Sequence, residues 1–198
     1  SLARGFSIEG VTLIAMTILL ISGVFDISVG GVMALSGVVC SILMVENIPL
    51  PLSILGGLAV GAAFGTFNDL VIATYKVNPF IVTFSTQFIA RSIALAITQG
   101  NPIRVHDATF TFLGTGLVGG IPVGFIFIVV LAFLADFAMR KVRFFRQFYF
   151  IGGNEVGAEL MGINITRTRI YSFVLTGILA AVSGVLSSAR LMGAVPNA

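Results

Sequence analysis

The chain has 198 residues, 57% of them hydrophobic and only 10% charged, with a mean hydropathy of +1.08. A water-soluble domain of this size cannot cover that much apolar surface, so the soluble globular class is set aside. The net charge is +3, and one cysteine (Cys40) with one histidine (His106) excludes a disulfide framework and a Cys/His metal set.

Six continuously apolar runs follow one another at 6–24, 29–46, 50–75, 78–98, 121–139 and 170–190. About 20 apolar residues reach across a hydrocarbon core of roughly 30 Å as a helix. The runs do not alternate, which argues against barrel strands. The predicted fold is all-α: a polytopic transmembrane helical bundle of six spans, one membrane domain over 1–198, with a polar loop over 140–169.

Between the first two runs, Phe25-Asp26-Ile27-Ser28-Val29-Gly30-Gly31 interrupts apolar sequence with an acid, a hydroxyl and two glycines. Unwound backbone at membrane depth needs protein or a watery cavity around it, and such breaks line transport routes. An ordinary inner turn with Asp26 or Ser28 capping the second span fits the same residues. The third run carries Gly57, Gly61 and Gly65 on one face, spaced for close helix approach. Near its end stand Asn68 and Asp69, and a carboxylate there is costly unless paired or hydrated. The fourth run holds Thr83, Gln87 and Arg91 at i, i+4 and i+8, with Thr86 alongside. That stripe reads either as a polar lining that meets a solute or as a structural pairing of Arg91 with an acid elsewhere. The connection over 99–120 is polar at first and then apolar and glycine-rich over Phe110–Gly120, which suits a re-entrant or interfacial element.

Arg140, Lys141, Arg143, Arg146, Arg167 and Arg169 crowd between the fifth and sixth runs. The positive-inside rule places that loop in the cytoplasm. By parity Lys76 is also inside, whereas Glu46–Pro51 and the 99–120 connection are outside. Basic residues beside a span suit topology and lipid headgroups better than nucleic acid. Within this loop, 152–164 reads GGNEVGAELMGIN. Asn154 can cap a short helix, Glu155 suits its positive end, and Gly162 can end it. Val156, Leu160 and Ile163 share one face, Glu155, Glu159 and Gly162 the other. Such a helix can enter a groove of a cytoplasmic partner or lie on lipid. The last run carries Gly177, Ala181, Gly184 and Ser188 as another small-residue face.

Several of these stretches together resemble the permease subunits of bacterial ABC importers for monosaccharides, of the ribose, galactose and xylose type. The matching pieces are Asp26–Gly30, Gly61–Asn68, Lys76-Val77-Asn78-Pro79-Phe80-Ile81-Val82-Thr83, Thr86 with Arg91, Thr98–Ile103, Ile151–Glu155 through Gly162-Ile163-Asn164, and Ala189-Arg190-Leu191. They run in order through nearly the whole chain. The resemblance implies a multi-pass protein of the bacterial inner membrane that needs no cofactor of its own and is not an enzyme. It implies three partners besides the lipid bilayer: an ATP-binding cassette subunit, a periplasmic sugar-binding protein and a second permease subunit, identical or different. Asn154, Glu155, Glu159, Leu160 and Gly162 would then belong to the coupling helix that docks the ATPase. Asp26, Ser28, Thr83, Gln87 and Arg91 would border the translocation path. The sequence has no Gly-rich phosphate loop ending in Lys-Ser/Thr, consistent with ATP being bound by a partner. Three positions depart from the family pattern: Asp69, Ser85 and Ser92 stand where glycine is usual. Family permeases also begin earlier and continue beyond Ala198, so the chain reads as truncated at both ends. The competing reading is a stand-alone channel or secondary carrier for a small polar solute. An intramembrane enzyme lacks support, because no Ser/His/Asp set and no HExxH occurs.

Overall fold

The structure is a computed structural model and describes residues 2–196; Ser1, Asn197 and Ala198, part of the expected truncated ends, lie outside the described residues. Its order is α1 (Leu2–Ile21), α2 (Val29–Val45), α3 (Leu50–Tyr75), α4 (Pro79–Thr98), β1 (Ile103–Arg104), α5 (Ala108–Thr115), β2 (Leu117–Val118), β3 (Ile121–Pro122), α6 (Val123–Lys141), α7 (Arg143–Gly153), α8 (Glu155–Leu160), α9 (Ile165–Arg190) and β4 (Gly193–Ala194). The architecture is that of an all-helical membrane protein. Four helices, α3, α4, α6 and α9, are long and apolar enough to cross a bilayer, and Gly5–Ile21 and Val29–Val45 are shorter apolar helices.

Local sequence explains where these helices stop and start. Pro49 and Pro51 open α3, since a first-turn proline loses no hydrogen bond. Asn78 caps α4 by accepting from the Phe80 amide at 2.9 Å, and Asn164 caps α9 by accepting from the Arg167 amide at 2.9 Å.

At the centre, α3 and α9 run antiparallel, with α2 laid along both. The buried face of α3 is Ser53, Gly57, Gly61, Gly65, Asn68, Asp69 and Ile72, almost all small or polar. A Cβ on Gly61 would run into the Gly177 carbonyl, and one on Gly65 into the Phe173 carbonyl. Glycine therefore sets the closeness of the pair, and dispersion over the two backbones replaces side-chain interlocking. Gly184 of α9 meets the Met33 carbonyl of α2 in the same way. α1 packs on α9, α6 on α1, and α4 on α2 and α3.

Each end of the bundle has its own cover. At one, Asp107 caps α5 by accepting from the Phe110 amide at 2.7 Å, and Phe110 is buried with Cys40, Val185 and Ala189. There β1 pairs with β4, and β2 with β3, both antiparallel. At the other lies a helix that the sequence reading passed over. The predicted 140–169 loop is mostly helical, and Arg143–Gly153 forms α7, whose Phe144, Phe145 and Phe148 pack against α1 and α6. Arg140 and Lys141 belong to the last turn of α6, and Arg167 and Arg169 to the start of α9.

Candidate translocation and docking sites

The break between α1 and α2 is the first polar focus. Asp26 and Ser28 are buried inside the bundle. Asp26 Oδ1 accepts from both the Ser28 amide (2.7 Å) and the Ser28 hydroxyl (2.6 Å). The Ser28 Oγ in turn accepts from Asn68 Nδ2 of α3 at 2.9 Å. Ser28 occupies the cap position of α2, yet its side chain makes no capping bond. The free donor in the first turn is met from another helix: the Gly31 amide donates to Gln87 Oε1 of α4 at 2.6 Å. Ser28 thus holds the cap position that the ordinary-turn reading offered it, while the bond to the first-turn donor is supplied across the bundle. Gly30 and Gly31 permit it, because a Cβ at either would press on Gln87. A helix start held by side chains from two other helices has its polar groups partnered inside the bundle.

The α4 stripe divides when seen in three dimensions. Thr83 is fully buried, and its hydroxyl donates back to the Pro79 carbonyl at 2.9 Å. Thr86 does the same to the Thr83 carbonyl at 3.1 Å. Both hydroxyls are thereby spent on their own helix. Gln87 joins the focus with Asp26 and Ser28, whereas Arg91 lies half-buried two turns beyond Thr83. Asn68, noted in sequence only as standing beside Asp69 near the end of a span, links α3 to the break.

The second focus is α8. Asn154 Oδ1 accepts from the Gly157 amide at 2.9 Å, so the expected N-cap is present. At the other end the Gly162 amide donates to the Glu159 carbonyl (2.9 Å) and the Ile163 amide to the Ala158 carbonyl (3.1 Å), with Gly162 at φ 79°. This paired closure needs a left-handed residue, which glycine supplies without a Cβ penalty. Ala158 is buried and anchors the helix, while Val156, Leu160 and Met161 face outward and Ile163 is half-buried. Leu160 is 86% exposed. Glu159 is exposed too, and Glu155 Oε2 accepts from Arg169 Nη2 at 2.9 Å. Met161 and Arg169 were not among the sequence candidates. An exposed methionine beside Leu160 was a signal available for the first.

The family described as the permease component of the branched-chain amino acid transport system matches residues 1–198. The chain belongs to that family. Among its curated relatives, the ribose import permease protein of Bacillus subtilis strain 168 is 35% identical over 200 residues, covering 100% of this chain and 62% of the relative. The D-allose transport system permease protein of Escherichia coli K12 is 35% identical over 181 residues, covering 91% and 55%. The L-arabinose transport system permease protein of the same strain is 32% identical over 195 residues, covering 98% and 60%. The chain thus spans about three fifths of the length of these relatives. No solved structure matches it.

Proposed function

We propose that this chain is part of the membrane-spanning permease subunit of an ATP-driven sugar importer, and that it forms part of the route for a sugar handed over by a periplasmic binding protein. The observation that carries this reading is the match along the whole chain to permeases named for ribose, D-allose and L-arabinose. The family description speaks of branched-chain amino acids, but these relatives carry sugar names at 32–35% identity, and they support a sugar as the substrate class.

In this reading the six apolar helices all cross the bacterial inner membrane, and residues 1–198 form one membrane domain. The end bearing α7, α8 and the basic residues of 140–169 faces the cytoplasm, as the positive-inside rule requires. A second permease subunit completes the pair. The exposed Val156 and Leu160 of α8 and Met161 just after it, flanked by Asn154, Glu155, Glu159 and Gly162, form the coupling element that enters a groove of the ATP-binding cassette subunit. ATP-driven closure of the cassettes displaces α8 and, through it, α9 and α3. The buried start of α2, with Asp26, Ser28 and Gln87, lies beside the route; Thr83 and Arg91 extend it along α4. A sugar is recognised there through hydroxyl groups, for which hydrogen-bonding side chains on loosened backbone are suited.

The test is co-purification of the detergent-solubilised full-length protein with its ATP-binding cassette, followed by ATP-dependent sugar uptake in proteoliposomes. Glu155→Arg with Leu160→Asp is expected to release the cassette and abolish uptake. Uptake by the permease alone, indifferent to the cassette and to that double change, would identify a stand-alone channel or carrier instead.

A further inference from the structure

The small-residue face of α3 does not end in a small residue. Gly57, Gly61 and Gly65 are followed, at the same four-residue interval, by Asp69. On α9 the opposing positions recede in step: Gly61 meets Gly177 and Gly65 meets Phe173. One further turn sets Asp69 opposite Arg169.

The two groups are unequally served. Asp69 is 0% exposed, and neither of its carboxylate oxygens has a hydrogen-bond partner among the described residues. Arg169 gives Nη2 to Glu155 of α8, while its Nε is buried without a partner. A single guanidinium thus stands between two carboxylates. One sits at the surface on the short helix α8, the other inside the tightest helix pair of the protein. A buried carboxylate left unpaired is expensive, so Asp69 favours any arrangement that brings the guanidinium nearer. Glu155 is half-exposed and loses little when water replaces Arg169.

We propose that Arg169 is a positioning residue that couples α8 to the α3/α9 pair, held by Glu155 in the present arrangement and drawn to Asp69 when α8 is displaced. This inference rests on reading α8 as the docking helix. Because the guanidinium has five donors in a planar fork, it can engage Asp69 before Glu155 is fully released. Displacement of α8 then reaches α3 as a change in an ion pair at the inner end of the glycine face.

The experiment uses the full-length protein in lipid nanodiscs, with Cys40→Ala and spin labels at Met161→Cys and Tyr75→Cys, with and without the cassette subunit. Asp69→Asn preserves shape and removes a buried charge, so folding is retained. It is expected to change the label separation by about 2 Å, the size of common helix shifts at interfaces. Glu155→Gln should have a smaller effect in the Asp69→Asn background than in the wild-type protein, because both act through Arg169. In unlabelled protein, Asp69→Asn should lower sugar transported per ATP hydrolysed about tenfold, a typical coupling strength, with cassette binding unaltered. A label separation indifferent to Asp69→Asn in both conditions overturns the proposal, as do effects of Asp69→Asn and Glu155→Gln that simply add. If the cassette never binds the wild-type protein but the separation still responds to Asp69→Asn, the Arg169 link stands and the importer reading falls.

Discussion

Along the α3/α9 seam, two helices meet through bare backbone: Gly61 lies against the Gly177 carbonyl, and both chains are continuous helix there. At the start of α2 the situation is reversed. The backbone is interrupted, and its first-turn donor at Gly31 is satisfied by a side chain from α4, while Asn68 of α3 holds Ser28. At its glycines the seam tolerates no added atoms, so the two backbones are held in fixed register there. The break is held by a few exchangeable hydrogen bonds, each worth about 1 kcal/mol net, so it can be rearranged at small cost. The two lie side by side, joined at Asn68, which belongs to the buried face of α3 and to the polar group at the break. A rigid pair beside a rearrangeable junction is a division of labour that suits the proposed passage of a polar solute.

The difference can be attacked from both sides. Gly61→Leu should have the largest effect, because the new side chain meets a backbone carbonyl that cannot swing aside. A loss of about 3 kcal/mol is expected, read as a lowered melting temperature and loss of monodispersity in detergent. Gln87→Leu keeps the volume but strands the Gly31 amide inside the bundle. It should cost about 2 kcal/mol, and hydrogen exchange should rise at the start of α2 while the seam keeps its protection. If the seam loses protection equally, the two regions are not mechanically separate. Asn68→Ala is the mildest, at about 1 kcal/mol, since it removes one bond to Ser28 and leaves the Asp26–Ser28 pair in place. Denaturation of the purified variants gives the ranking directly.

Much of this organisation was legible in the residues. The apolar run at 50–75 coincides with α3, because prolines at one end and the polar Lys76–Asn78 turn at the other leave little ambiguity. The cap at Asn154 and the stop at Gly162 were equally readable, since both depend on chemistry within a few residues. What stayed hidden depends on register between distant helices. The spacing of Thr83, Gln87 and Arg91 marks one face of α4, but nothing local says that Gln87 reaches Gly31 while Thr83 turns back on its own helix. The Glu155–Arg169 pair bridges 14 residues across a turn, beyond any helical spacing rule. The helix α7 was missed for another reason. Its basic residues advertised topology and drew attention from Phe144, Phe145, Phe148 and Ile151, whose spacing marks an amphipathic helix.

The double sealing of α8 has a mechanical meaning. Six residues in isolation are far too few to hold a helix in water, and a segment that short ordinarily unravels from its tips. Here the Asn154 side chain fastens one tip and the left-handed Gly162 fastens the other, with only two residues between it and α9. In the proposed docking role, a push delivered at Leu160 would therefore not be absorbed by fraying; it would be passed on whole to the long helix behind.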